Sequence, residues 1–436
     1  MEDANMEELI RLLNRGVTPF HVVDACVERL EQAGFTGIAY DREWNLQAGG
    51  KYYVNHHGSA LFAFTVGTEY RTGQMVRMAA AHTDYPTLRI KPAPDFKTKS
   101  YAQINVEVYG GPILNTWLDR PLGVAGRVAI KSADPFVPEM CYFESGRPIL
   151  TIPNLAIHMN RDVNKGVELN PQTDMIPLLG LVDKEEADHD YFMEYLAGEL
   201  SKQLGHSVQK DAILDYELYL YCTEEAQMVG IRSELLSSPR LDNLTSCHAL
   251  VSAMIESTRK DGINLIQLAD HEEVGSTSKQ GAASILLHDM LRRILRSLGA
   301  SEDAIDAAAY DAMLVSADVA HAVHPNKVSK ADPQVQPQMG KGLCIKQAAS
   351  QSYATDAQTI AIFAGICEKA NVPYQRFVNR SDMRGGSTLG AIASALTPVK
   401  TLDIGIPILA MHSARELMGA KDIESLTDAM KAYFSL

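Results

Sequence analysis

The 436-residue chain is longer than one hydrophobic core usually supports and suits two domains. With 46% hydrophobic and 22% charged residues it reads as a soluble globular protein, and its formal net charge of −14 excludes a general binder of nucleic-acid phosphates or anionic membranes. Six scattered cysteines with no CxxC pair, an acidic N-terminus (MEDANMEELIRLLNRG) where a secretory leader would carry basic residues, and no apolar run near the ~20 residues of a membrane span suggest reduced thiols and a cytoplasmic location.

The first clearly punctuated helix is TPFHVVDACVERLEQAGF, with Thr18 as cap, Pro19 in the first turn and Gly34 as the stop. MVRMAAA is then an apolar strand, followed at once by His82 and Asp84. Between residues 87 and 237 strands dominate. In QINVEVY, Ile104, Val106 and Val108 alternate with Gln103, Asn105 and Glu107, the pattern of a half-exposed strand. GVAGRVAI, RPILTI and DYELYLY continue in that style, with one helix near YFMEYLAGELSKQLG.

After Pro239 strands and helices alternate. SSPRLDNLTS carries Asp242 into the helix NLTSCHALVSAMIES, and the strand INLIQLA ends in DHEEVGS. ILLHDMLRRILRSLG is a helix, AMLVSA a strand ending at Asp318, and AQTIAIFAGICEKA a helix; the strand LDIGIPILA leads to His412 and a last helical stretch. The expected fold is α/β, a mostly parallel sheet flanked by helices. Residues 1–86 and 238–436 would form it, interrupted by an inserted β-rich domain at 87–237.

Chemistry concentrates at the ends of these strands. Open α/β sheets bind ligands beyond the carboxyl ends of their strands, so residues distant in sequence can meet at one rim. His82, the pair Glu272–Glu273, Asp318 and His412 each follow an apolar strand, and Asp242 precedes a helix. Imidazole and carboxylate donors without thiolate suit Zn²⁺, Mn²⁺ or Co²⁺. Two neutral histidines and three carboxylates carry −3 against +4 from two divalent ions, and one hydroxide supplies the balance. Such an ion pair lowers the pKa of a shared water toward ~7 and polarises a carbonyl. Side chains adjacent in an extended segment point to opposite sides, so one of Glu272 and Glu273 can bind metal while the other acts as acid and base.

The strings HTD (82–84), NTWLDRPLGVAGRV (115–128), SPRLDN, DHEEVGS, SADVAHAVHPN, GGSTLG and AMHSARE occur in order. They resemble the aspartyl aminopeptidase family, which also includes the vacuolar aminopeptidase I type, from about residue 20 to the C-terminus. The resemblance implies a zinc-exopeptidase-like fold and a metal-dependent aminopeptidase that removes N-terminal Asp or Glu from peptides. It implies His82, Asp242 and Asp318 on one Zn²⁺ ion, and Asp242, Glu273 and His412 on a second. Glu272 would be the general base, Asp84 would orient His82, and Asp242–Asn243 would be a cis peptide. The inserted domain would dimerise within a tetrahedral dodecamer. His158 would reach a neighbouring subunit's site, Lys346 would face an acidic substrate side chain, and Asp382, Met383 and Arg384 would line the specificity pocket.

Smaller features receive structural roles. SARE (413–416) reads as a capping box that starts the last helix, Gly385, Gly386 and Gly390 permit close backbone approach, and His321, His324 and His271 read as structural or as neighbours of the ligands, with no role assigned to His271. Two other functions fit the same residues: the same hydrolysis with a neutral, leucine-like preference, and a non-catalytic assembly protein with a closed structural metal site.

Overall fold

The computed structural model describes residues 2–182, 190–383 and 385–436; Arg384 lies outside the described residues. The described chain divides into two compact units, Met1–Tyr85 with Ala226–Met411 and Glu416–Leu436, and Pro86–Glu225 with His412–Arg415.

The first unit is built on a nine-stranded sheet. At its centre Ile263–Ala269, Val76–His82, Met313–Ala317 and Lys400–Gly405 are parallel neighbours. Ala60–Val66 pairs antiparallel with Ile263–Ala269, and Leu343–Gln347 antiparallel with Lys400–Gly405, so the sheet is mixed. The central strands read as unbroken apolar runs because both faces are covered. Ala79 and Ala81 pack with Leu244, Leu250 and Leu426 on one side, while Met78 and Ala80 pack with Leu291, Ile294 and Leu389 on the other. A five-stranded sheet in the same unit joins Gln227–Val229, Leu235–Ser238, Glu416–Gly419, Pro407–Leu409 and Ala320–His321.

The second unit is a six-stranded antiparallel sheet. Its one α-helix among the described residues, Tyr191–Leu204, buries Phe192, Leu196 and Leu200 against Ile104, Val106 and Phe143. Asp95 anchors the start of this helix by accepting from Phe192 N at 2.6 Å and Met193 N at 3.2 Å.

Several sequence expectations change in the structure. The second unit ends at Glu225 and not at 237, because Gln227–Val229 and Leu235–Ser238 join the sheet that contains Glu416–Gly419. RPILTI contributes only the isolated bridges of Leu150 and Thr151. LDIGIPILA divides into Lys400–Gly405 and Pro407–Leu409. SARE caps no helix: Glu416 opens a strand, and the last helix starts at Asp422. An unpunctuated helix also occupies Glu2–Arg15.

The six cysteines are free and buried, and among the described residues no helix is long and apolar enough to cross a membrane. Phe192→Ala empties a fully buried site in the second unit. It is expected to lower stability in urea unfolding by ~3–5 kcal/mol; a loss below ~1 kcal/mol would contradict the packing described.

Candidate metal centre

The site begins with strand register. Ala269 pairs with His82 and Ser316 with Ala80, so three parallel strands end at nearly one level. His82 closes the first, Asp270 to Glu273 follow the second, and Asp318 follows the third. Asp242 enters from the head of Leu241–Glu256, where Asp242 and Asn243 have non-helical dihedrals and are joined by a cis peptide, as the resemblance implies. Asn243 donates to Ala317 O at 2.9 Å, which ties that turn to the third strand end. Gly405 lets the neighbouring strand approach the Asp318 carbonyl, a space that a Cβ would fill.

Five side chains converge. Donor atoms of His82, Asp242 and Glu273 lie within 4.8 Å of one another, as do those of His82, Glu272 and Asp318. His82 Nε2 stands 3.4 Å from Asp242 Oδ1 and 3.6 Å from Asp318 Oδ1. Its other nitrogen, Nδ1, lies 3.4 Å from Asp84 Oδ1 and 3.1 Å from Asp84 O. Asp84 is fully buried and also accepts from Glu272 N and Glu273 N, one oxygen to each at 3.1 Å. One carboxylate therefore sets both the imidazole and the glutamate pair.

The glutamates are not extended. Glu272–Val274 is a single 3-10 turn, entered through His271 at φ +62 and left through Gly275 at φ +95. The two side chains diverge because the turn separates them, not through strand alternation. His271 closes the turn from outside, with Nδ1 2.7 Å from Ser278 Oγ.

Sequence reasoning missed Glu416, which is buried and accepts from Asp242 N at 3.0 Å. Gly419, three residues beyond SARE, was the available signal that no helix starts there. Lys346 is buried, with Nζ 3.6 Å from Asp318 Oδ2. His158 is exposed on a turn of the second unit. His412 is grouped with that unit as well: its Nδ1 lies 3.1 Å from Gly111 O, and neither of the two donor groups contains it. Asp382 is paired with Arg380 at 2.6 Å, so its charge is already answered.

Electrostatics describe a site built for cations. Burial lifts the Glu272 carboxyl to about 8, with Asp318, Asp84 and Asp242 adding to it against the downward pull of His82. Burial and Asp242 push Glu273 well above the carboxylate range. Burial alone would lower His82, but Asp242, Asp318 and Asp84 raise it well above its ordinary value. Asp84, Asp242, Glu272, Glu273 and Asp318 crowd five carboxylates around one imidazole, and divalent ions with oxygen and nitrogen preference relieve that repulsion. The donor set fits such ions.

The chain matches the family described as aminopeptidase I zinc metalloprotease (M18) over residues 12–434. It is 44% identical over 430 residues to a probable M18 family aminopeptidase 2 of Clostridium novyi, covering 98% of each chain. A chain of the cryo-EM structure of the Ape4 and Nbr1 complex is 34% identical with a TM-score of 0.94, covering 99% of this chain and 86% of that one. The S. cerevisiae mApe1 dodecamer is 25% identical with a TM-score of 0.84, covering 99% and 96%.

Because the native cluster holds protons that an unfolded chain would release, its stabilising contribution is present below about 4.5, the ordinary Glu value, and is lost as pH rises through about 8, the folded value for Glu272. The raised imidazole acts in the same direction. Metal-free protein is therefore expected to lose stability over that range in pH-dependent denaturation. Zinc binding near pH 7 is expected to release protons, measured by calorimetry in buffers of different ionisation enthalpy. Binding without proton release would contradict this electrostatic picture.

Proposed function

This chain belongs to the M18 aminopeptidase I family of zinc metalloproteases and is a metallo-aminopeptidase, and from that premise we propose a two-ion enzyme that removes N-terminal Asp or Glu from peptides. The observation that carries the proposal is the convergence of His82, Asp242, Glu272, Glu273 and Asp318 at three neighbouring strand ends. His82, Asp242 and Asp318 would hold one ion, and Asp242, Glu273 and His412 the other. Zn²⁺ is the family's metal, with Co²⁺ or Mn²⁺ chemically admissible. When bound, the ions acidify a water and polarise the scissile carbonyl.

The protein's own groups then manage the proton. Glu272 would accept it from the attacking water and deliver it to the leaving amine, a role that requires a carboxyl able to hold a proton near neutral pH. Its place in the cluster with His82 and Asp318, held by the bond from its own N to Asp84, supports that role. Asp84 accepts from the backbone N of Glu272 and lies beside Nδ1 of His82, which would leave Nε2 of His82 to hold an ion.

The inserted-domain reading follows the division into two units, with the second as a dimerisation domain carrying His158 toward a neighbouring subunit's site. A dodecamer is proposed from the assembly of the S. cerevisiae relative, and a cytoplasmic location from the buried free thiols. A neutral substrate preference is the second reading. One observation favours it: the ammonium of Lys346 is buried against Asp318 and Val319, and so is not presented to an acidic side chain.

Glu272→Gln is expected to lower kcat by ~10²–10⁴ while zinc remains bound. Turnover on an aminoacyl amide and metal content by mass spectrometry check this together. Intact turnover would remove Glu272 from the proton path. A panel of Asp, Glu and Leu amides separates the two preferences.

A further inference from the structure

Arg240 stands two residues before Asp242, in SPRLDN, and is 6% exposed. Its backbone is left-handed, at φ +63, a conformation that a residue other than glycine keeps only where its surroundings hold it. The guanidinium supplies that hold. Its Nη2 donates to Leu13 O at 2.7 Å, and its carbon lies 5.6 Å from the centre of the Tyr85 ring. Tyr85 directly follows Asp84, and its hydroxyl donates to Val17 O. One short stretch at the end of the helix Glu2–Arg15 therefore receives both Arg240 and Tyr85, the near neighbours of Asp242 and Asp84.

That stretch is shaped to receive them. Helix C-termini leave carbonyls unbonded and carry partial negative charge, which suits a cation. The N–H of Val17 would continue the helix onto Leu13 O, but it bonds Arg15 O at 2.8 Å and leaves Leu13 O to Arg240. Gly16 brings the turn against the head of the helix Leu241–Glu256: a Cβ there would lie 2.8 Å from both Leu12 O and Leu244 Cδ2. Leu244 N in turn donates to Arg240 O at 3.3 Å. The same two helices meet again where Asn5 Oδ1 lies 2.8 Å from His248 Nε2. We propose that the turn at residues 13–17 clamps the segment that carries Asp242, with Arg240 as the positioning residue that sets the Asp242 carboxylate for its ions. The proposal rests on Asp242 being a metal ligand.

Outer groups that orient metal-binding side chains change metal affinity by ~10–100-fold when removed. The test is zinc affinity of the whole metal-free protein, read by competition with a chromophoric chelator on samples shown to be folded by circular dichroism. Arg240→Met keeps an apolar stem and removes the donors. It is expected to weaken at least one zinc by about tenfold or more. Phe192→Ala, which lowers stability in the other unit, is the control and is expected to leave zinc affinity unchanged.

Unchanged zinc affinity in Arg240→Met would overturn the proposal. An equal loss in Phe192→Ala would overturn it too, because the effect would then follow stability alone. If Arg240→Met does not fold, Gly16→Ala carries the test, since its Cβ displaces the turn from Leu244. Weakened zinc there supports the clamp and unaltered zinc overturns it. Wild-type protein that binds no zinc would instead sink the metal-centre reading itself.

Discussion

The buried carboxylate of Asp84 is the constraint on which the site depends. Its two oxygens receive two consecutive backbone N–H groups, Glu272 and Glu273, and one of them also faces His82. Bonds to a charged acceptor are about twice as strong as neutral ones. A single charge therefore fixes a tight turn and a ring orientation that belong to different strands. The turn needs the help, because His271 stands at positive φ without being glycine. Backbone anchoring explains how two adjacent glutamates can hold different positions without any alternation between them.

Around that anchor the protein concentrates negative charge that it cannot neutralise alone. Glu416 accepts from the backbone of Asp242, Lys346 Nζ stands 3.6 Å from one oxygen of Asp318, and Asp403 is the register partner of Lys346. Within the described residues these supports come from strands that do not themselves supply the clustered donors. The sheet acts as a frame that keeps acidic groups close against their repulsion, and the family's metal is what such a frame suits. Burial and crowding raise the Glu272 and Glu273 carboxyls and the neighbouring carboxylates raise the His82 imidazole, so cations entering the cluster would compete with protons.

Much of this was legible in the sequence, and the reasons are physical. Strands covered on both faces must be apolar throughout, so a His or a carboxylate directly after MVRMAAA, INLIQLA or AMLVSA stands out against them. Thr18, Pro19 and Gly34 marked a helix by local chemistry that the fold retains, with Thr18 Oγ1 accepting from His21 N. Tertiary pairing was not legible. SARE satisfies a capping pattern, yet Glu416 pairs with Ser238 in a strand and turns its carboxylate to Asp242. Lys346 lies in GLCIKQ, where nothing local says whether its charge meets substrate or sheet. Asp403 did carry a signal, a lone carboxylate within an apolar strand that requires a buried partner. The boundary at Glu225 was hidden because the strands after it pair with residues almost two hundred positions away.

The central claim is that these strand ends assemble a site for two cations. Diffraction from zinc-loaded crystals on either side of the zinc absorption edge tests it most directly. Two anomalous maxima about 3.5–4 Å apart are expected among His82, Asp242, Glu273 and Asp318. A single maximum there, or zinc bound elsewhere, would contradict the two-cation site.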